Sequence, residues 1–393
     1  MKKKIMVLYI GFLLLLCACA GENTAKSEQK IKDKSAFQFK AADDTASALK
    51  DVDLSVITAD PDNEIFAITS TSIVYSYTGE AENGVCPCTF YKYDVEAGET
   101  AEIGTIYNWS YGMGETLVNN KLYIPRVCQL SPNEESSSWI IELDLEEKKM
   151  SVVSEAKNHV SFYSRNMQGF GKHLILQQTE DQFQRLIAYD TETKEMISLI
   201  KYEHDSDTNT GKWISAFDVG MDSISVLVKT VDTAGEEHYH IEVYDRKINL
   251  VDTIDVTGIA NWGQGVFDFE YENGYLIFST INHSGGIGII DGDNFESLAL
   301  YKDLEFYLMS ESAECMQDKM WLDQESKELY RFDMQRGTLE KAVLYSGFSE
   351  DLFVSAKRYA ENVIVLHERP LNQNSTEEYR YILVDELDFA VAE

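Results

Sequence analysis

An all-β fold built on a sevenfold repeat is predicted by two independent series of sequence markers, each occurring seven times, and by the near absence of a 3.6-residue apolar period between them. The first series is an apolar residue followed by Asp at the end of a β-type run. Its members are Tyr93-Asp94, Leu143-Asp144, Tyr189-Asp190, Tyr244-Asp245, Ile290-Asp291, Phe332-Asp333 and Val384-Asp385, spaced 42 to 55 residues apart. Asp suits the end of a strand because its carboxylate accepts backbone N–H groups of the turn that follows. The second series is a turn dipeptide ahead of an apolar run: Asn63-Glu64, Asn120-Lys121, Gly171-Lys172, Asp222-Ser223, Asn273-Gly274, Asp318-Lys319 and Glu361-Asn362. Its middle members recur every 51 residues, and the two series alternate without exception. Thr45 to Val52 is the one modest helical window.

Each repeat therefore reads as strand A, turn dipeptide, strand B, a variable loop, strand C ending at the Asp, and strand D. In the second repeat these fall near Tyr111 to Val118, Leu122 to Cys128, Ser138 to Asp144 and Met150 to Glu155. Residues 51–393 divide into seven units of 49 residues. Four strands at that period make the blade of a β-propeller, so a seven-bladed β-propeller with four antiparallel strands per blade is expected. One blade exposes both faces; a ring of seven buries them. For the seventh blade's last strand the chain leaves Phe389 to Glu393, and an N-terminal segment such as Phe37 to Ala41 is expected to pair beside it. Strand C, as in Leu186-Ile-Ala-Tyr-Asp190 and Leu329-Tyr-Arg-Phe-Asp333, resembles the extracellular bacterial propellers of the quinoprotein-like, YVTN-like and TolB-like repeats. That resemblance implies the fold and no activity, since the Trp-Asp pair of WD40 blades and the diglycine of kelch blades are absent.

The first twenty residues carry an address. Lys2, Lys3 and Lys4 precede the apolar run Ile5 to Leu16, which at ~1.5 Å per residue is too short to span a ~30 Å hydrocarbon core. It reads as the core of an export signal covering residues 1–18. Leu16-Cys17-Ala18-Cys19 resembles the bacterial lipobox, with Cys19 at the lipid-modified position. The resemblance implies a diacylated Cys19, an anchor in the cell membrane and a chain on its outer face. Residues 19–50 are polar and dotted with lysine and read as a flexible tether. No later segment is apolar enough to cross a membrane as a helix.

Composition narrows the function classes. With 34 Lys+Arg against 67 Asp+Glu the net charge is -33, which excludes phosphate-backbone binding to nucleic acid. Hydrophobic residues at 44% can build a sizeable core. The sequence holds no Gly-x-Ser-x-Gly elbow and no phosphate-cradling glycine loop; Gly285-Gly286-Ile287-Gly288 reads as a tight hairpin.

Aromatic residues mark the D–A junctions. Trp109, Trp213 and Trp262 share one register, with Phe162 and Tyr307 in comparable places. Two readings stand: a ligand platform on one rim of the ring, or core wedged between blades. Asp205, Asp207 and Asn209 space oxygen ligands as a calcium loop would, or form an Asx-rich turn. His238 and His240 lie on one face of a strand near Glu236 and Glu237, as zinc or copper ligands or as a polar outer face. Cys86 or Cys88 could pair with Cys128, leaving Cys315 free.

The expected function is a membrane-anchored extracellular binding or scaffold lipoprotein that recognises a protein, peptide or glycan through its rim loops. The alternative is a glycan lyase or hydrolase with acidic residues at the channel mouth; a structural subunit of an envelope complex is a third reading. The anchor is directly testable. Cys19→Ser is expected to move the protein from the detergent phase to the aqueous phase on partitioning, and retention in membranes without a lipid mass would rule the anchor out.

Overall fold

The computed structural model describes residues 31–34, 54–58, 60, 63–69, 71–110, 115–155, 167–220, 222–280, 285–291, 294–301, 306–308, 310–311, 318–323, 328–333, 336–343, 352–360, 363–370, 378–384 and 387–391. The chain is all-β, with one turn of α-helix at Ser55–Thr58 and a short 3-10 turn at Trp262–Gln264 among the described residues. Its strands form antiparallel meanders that follow one another along the sequence.

The first meander is Asn63–Ile68, Ser72–Thr78, Pro87–Asp94 and Glu99–Ser110. The second is Thr116–Val118, Lys121–Gln129, Ser137–Asp144 and Lys149–Glu155. The third is Met167–Phe170, His173–Glu180, Phe183–Asp190 and Met196–Asp205; the fourth is Thr210–Val219, Ile224–Val231, Glu237–Tyr244 and Leu250–Asp255. Val266–Glu272, Tyr275–Thr280, Gly285–Asp291 and Asn294–Tyr301 make the fifth, and Phe306–Leu308, Asp318–Asp323, Glu328–Asp333 and Thr338–Val343 the sixth. Leu352–Ala360, Val363–Pro370 and Glu378–Leu383 make a seventh. Hydrogen bonds join the first meander to the second and the third to the fourth.

The recurring Asp closes the third strand as its chemistry requires. Asp144 Oδ1 accepts the N–H groups of Glu146 and Glu147, Asp190 those of Glu192 and Thr193, and Asp245 those of Lys247 and Asn249. Asp94 and Asp333 each take one such bond, from Ala97 and Arg336. Gly171-Lys172, Asp222-Ser223 and Asn273-Gly274 sit between first and second strands, and Asn119, Asn120, Asn273 and Gly274 all take positive φ as a two-residue hairpin demands; Asn63-Glu64 instead opens the first strand of its meander, and Asp318-Lys319 begins a strand. Gly285, Gly286 and Gly288, expected in a hairpin, lie inside a strand. A Cβ at Gly288 would stand 2.3 Å from the ring of Phe295 on the next strand, so the absent side chain makes room for that packing.

Both faces of the meanders are buried. Successive residues of a strand point to opposite faces, and here each face meets a different neighbour. Leu122 and Ile124 pack between the first and second meanders, whereas Tyr123 packs between the second and third. Leu174 and Leu176 face the second meander and Ile175 the fourth. Val226 and Val228 join the third–fourth cluster, and Leu227 the fourth–fifth. Ile277 meets Phe332 of the sixth meander, and Leu366 meets Met320 there. Val365, on the opposite face from Leu366, packs with Ile65, Ile68 and Ile73 of the first meander. First and last meanders are thus in contact through side chains; among the described residues no strand pairing links them.

Polar side chains complete these contacts. Gln168 donates to Phe217 O at 3.1 Å and accepts from Val219 N at 2.8 Å, while Gln177 and Gln184 bond the carbonyl and N–H of Ile214. Three glutamines of the third meander thereby satisfy the edge backbone of the fourth. Two buried carboxylates act likewise. Glu142 accepts from Tyr123 at 2.9 Å and from Lys194 of the third meander at 2.5 Å. Glu242 accepts from Tyr244 at 2.5 Å, Tyr202 of the third meander at 2.7 Å, Lys212 at 2.9 Å and His240 at 3.1 Å.

The chain ends depart from expectation. The tether is not free throughout: Ile31–Asp33 pairs in parallel with Met196–Ser198 on the outer strand of the third meander. Phe37 to Ala41 lies outside the described residues, as do Thr45 to Val52. Ala390–Val391 pairs with Lys341 and Glu340 of the sixth meander, not with the seventh. Phe389 explains this, since Arg331 stands 4.0 Å from its ring and Leu387 packs beside it on the sixth–seventh cluster.

Burial pushes the Glu242 carboxyl up, but the bonds from His240, Tyr244, Lys212 and Tyr202 outweigh it and hold the group below the usual carboxylate range. A depressed carboxyl stabilises the fold above its unfolded value of ~4.3, and that stability is lost as pH falls through the folded value. Chemical denaturation from pH 7 to pH 2 is therefore expected to show an acid limb that begins near ~4.5. Glu242→Gln should be less stable at pH 7 and have a shallower limb; an identical limb in both proteins would contradict this role.

Candidate functional site

Second-to-third-strand hairpins and fourth-to-first connections lie at one end of the meanders. Tyr107 pairs with both Pro87 and Gln129 there, and Asp205 pairs with Thr210 across the connection between third and fourth meanders. This end collects most of the residues singled out from the sequence.

Trp109 is half-buried and packs against the first–second cluster. The buried guanidinium of Arg126 lies 5.6 Å from its ring and 5.3 Å from that of Phe66. Asn108, at φ +46°, holds the connection: its Oδ1 accepts the N–H of Cys86 and its Nδ2 donates to Gln129. Trp213, also half-buried, stacks on the His204 imidazole at 5.1 Å with 28° between planes. Each indole thus lies against a cationic or polar group, the Arg126 guanidinium or the His204 imidazole, and stays partly exposed.

Trp262 is different and corrects the rim expectation. It is 3% exposed, its Nε1 donates to Val256 O at 2.8 Å, and its ring lies 5.0 Å from Phe278. The longer connection 256–265 folds back as a 3-10 turn and inserts the indole between fourth and fifth meanders. Register along the repeat was legible; the length of this connection decided which way the ring turned. Tyr307 lies on the strand Phe306–Leu308. Phe162 and Cys19 fall outside the described residues, as does Cys315.

Asp205, Asp207 and Asn209 form the hairpin turn at this same end. Asp205 Oδ1 accepts from the N–H groups of Asp207 and Thr208, and Asn209 sits at φ +52°. The calcium-like spacing is used here to build an Asx turn. Cys86, Cys88 and Cys128 are free thiols; burial pushes the Cys128 thiol up to about 12 and raises Cys88 too, so both are inert.

Charge is distributed unevenly between the two ends. The loops 79–86, 130–136, 181–182, 206–209 and 232–236 contain no Lys or Arg, and Glu80, Glu82, Glu134, Glu135 and Asp181 in them are exposed. At the opposite end the turns carry Lys148, Lys172, Lys194, Arg246 and Lys247 together with exposed Glu96, Glu146, Glu147, Glu192 and Asp222. The convergent set of Glu242, Tyr202, Tyr244, Lys212 and His240 offers no catalytic acid or base. The carboxylate is 4% exposed, is already occupied by four donors, and is held charged.

No family model matches the sequence, and no curated protein matches it. Solved structures similar to it include the β-propeller domain of the Trilobed protease from Pyrococcus furiosus, at 14% identity and TM-score 0.48 over 81% of this chain and 94% of that one. An acylaminoacyl peptidase in complex with Z-Gly-Gly-Phe-chloromethyl ketone aligns at 14% identity and TM-score 0.47 over 84% of this chain and 53% of that one. The Cps50 (Swd1) β-propeller domain of Myceliophteria thermophila aligns at 11% identity and TM-score 0.40, covering 80% and 93%. Similarity at this level transfers no activity.

The two tryptophan environments predict separable outcomes. Trp262→Ala is expected to lose ~3–5 kcal/mol of stability, as core aromatics do, whereas Trp213→Ala should lose under ~1.5 kcal/mol. Thermal melting of both variants measures this, and equal drops would contradict the distinction.

Proposed function

We propose that the chain is a lipid-anchored, seven-bladed β-propeller on the outer face of the cell membrane that binds a basic protein or peptide at the hairpin-loop end of its blades. Each meander is then a blade. The ring is supported by the order of packing: seven core clusters each draw on two meanders, and the first and last meanders share one of them. Leu16-Cys17-Ala18-Cys19 supports the anchor.

Orientation follows from where the N-terminal strand joins. Ile31 pairs with Met196, beside the turn that carries Lys194, and Lys34 Nζ donates to Ile248 O in the equivalent turn of the fourth blade. Twelve positions along the chain separate Cys19 from Ile31. The tether therefore leaves from the end bearing Lys148, Lys172, Lys194, Arg246 and Lys247. The opposite end points away from the membrane.

The observation that carries the function is the make-up of the described loops at that end: exposed Glu80, Glu82, Glu134, Glu135 and Asp181, no Lys or Arg among residues 79–86, 130–136, 181–182, 206–209 and 232–236, and half-buried indoles at Trp109 and Trp213. Carboxylates pair with Lys and Arg, and indole faces attract the same cations. Of protein, peptide and glycan ligands, a basic polypeptide answers both features.

Fluorescence anisotropy with Lys/Arg-rich and Glu-rich peptides of equal length tests this. Binding should be confined to the basic peptide, weaken with added salt, and fall several-fold in Trp213→Ala and in Glu134→Lys/Glu135→Lys. Lys172→Ala, at the other end, should bind as wild type. Equal affinity for the acidic peptide, or no response to the Glu134/Glu135 changes, would overturn the assignment.

A further inference from the structure

We infer that the outer hairpin of the fourth meander is a binding site for a first-row divalent cation, Zn²⁺ by its donor set, with Asp232, Glu236 and His238 as ligands. The ligand atoms of these three side chains all lie within 4.8 Å of one another, and all three residues are exposed. Ligands around a zinc ion with bonds of ~2.0–2.2 Å stand about 3–3.6 Å apart, so closure needs movement on the order of 1 Å.

The hairpin builds this arrangement from its own sequence. Asp232 follows the strand Ile224–Val231, and its Oδ1 accepts the N–H groups of Ala234 at 2.8 Å and Glu236 at 2.9 Å, which fixes the carboxylate over the turn. Gly235, at φ +83°, reverses the chain and returns Glu236 beside Asp232. His238 is two residues on, so it projects from the same face as Glu236. The three side chains converge without an ion pair or hydrogen bond joining them, an arrangement that a shared cation would satisfy.

A second observation comes from the neighbouring strand. Asp255 pairs across the ladder with His240, and its carboxyl is held below the usual range by Thr257, with His238 and His240 contributing. A third acidic group thus stands diagonal to His238 on the neighbouring strand. Glu237, the remaining acid of the turn, is occupied by Lys229 at 2.5 Å. The two histidines that the sequence places on one face have separate partners: His240 bonds to the buried Glu242, and His238 belongs to the open triad.

The donor set selects the cation. Imidazole suits Zn²⁺, Cu²⁺ and Ni²⁺, whereas Ca²⁺ and Mg²⁺ prefer oxygen alone. A ligating imidazole must be unprotonated, so protons compete with the cation and binding should weaken on acidification.

Isothermal titration of the mature chain with ZnCl₂ in a non-chelating buffer tests the site. The expected result is one equivalent bound at pH 7.5, weakened at least tenfold by His238→Ala and by Asp232→Asn, and unaffected by Asp207→Asn on the neighbouring turn. Melting temperature without metal should not change in these variants, because all the altered side chains are exposed; Zn²⁺ should raise it in the wild type only. Unchanged binding in His238→Ala, loss on His240→Ala instead, Ca²⁺ competing as well as Zn²⁺, or substoichiometric binding would each overturn the proposal.

Discussion

The structure depends on one constraint: every meander is apolar on both faces and has to bury each of them against a different neighbour. Alternation at period two makes this possible, because one strand serves two interfaces, as Tyr123 and its flanking Leu122 and Ile124 do. Burial on both faces also explains why the second strands hold consecutive apolar residues, such as Leu174-Ile175-Leu176, and lack polar alternation there. A chain of such units leaves an apolar face at each end. The contact of Val365 with Ile65, Ile68 and Ile73 covers both.

Packing alone would leave strand edges and buried polar groups unmet. Glutamine side chains of the third meander satisfy the backbone edge of the fourth, and Glu142 and Glu242 gather hydroxyl and ammonium donors from two meanders each. These groups add direction to an otherwise non-directional contact, because a hydrogen bond fixes the register of one sheet against the next. They also show why acid-rich composition is a poor guide to chemistry here. Buried Glu142 and Glu242 are consumed by structure.

The described turns differ in their basic residues. Loops at one end bear carboxylates and indoles, while turns at the other end mix Lys and Arg with Glu and Asp and receive the N-terminal strand. In the proposed arrangement the tether leaves toward the lipid surface and the loops without Lys or Arg face outward, so anchoring and recognition occupy opposite ends of the blades.

Strand order, the turn chemistry of the recurring Asp and the positive-φ Asn pairs were legible in the sequence, since each depends on residues adjacent in the chain. The second repeat shows this: its second strand was expected at Leu122 to Cys128 and is Lys121–Gln129, and its third was expected at Ser138 to Asp144 and is Ser137–Asp144. The exposure of equivalent tryptophans was not legible. Trp109, Trp213 and Trp262 share a register, yet Trp262 alone of the three is fully buried, because the path of its connection and the space beside Phe278 are set by the neighbouring sheet. Likewise the sequence placed His238 and His240 on one face, and only the fold gave one to buried Glu242 and the other to an exposed carboxylate pair. Nearest-neighbour geometry fixes what a strand or turn is; contacts between residues far apart in sequence decide which of its side chains meet water.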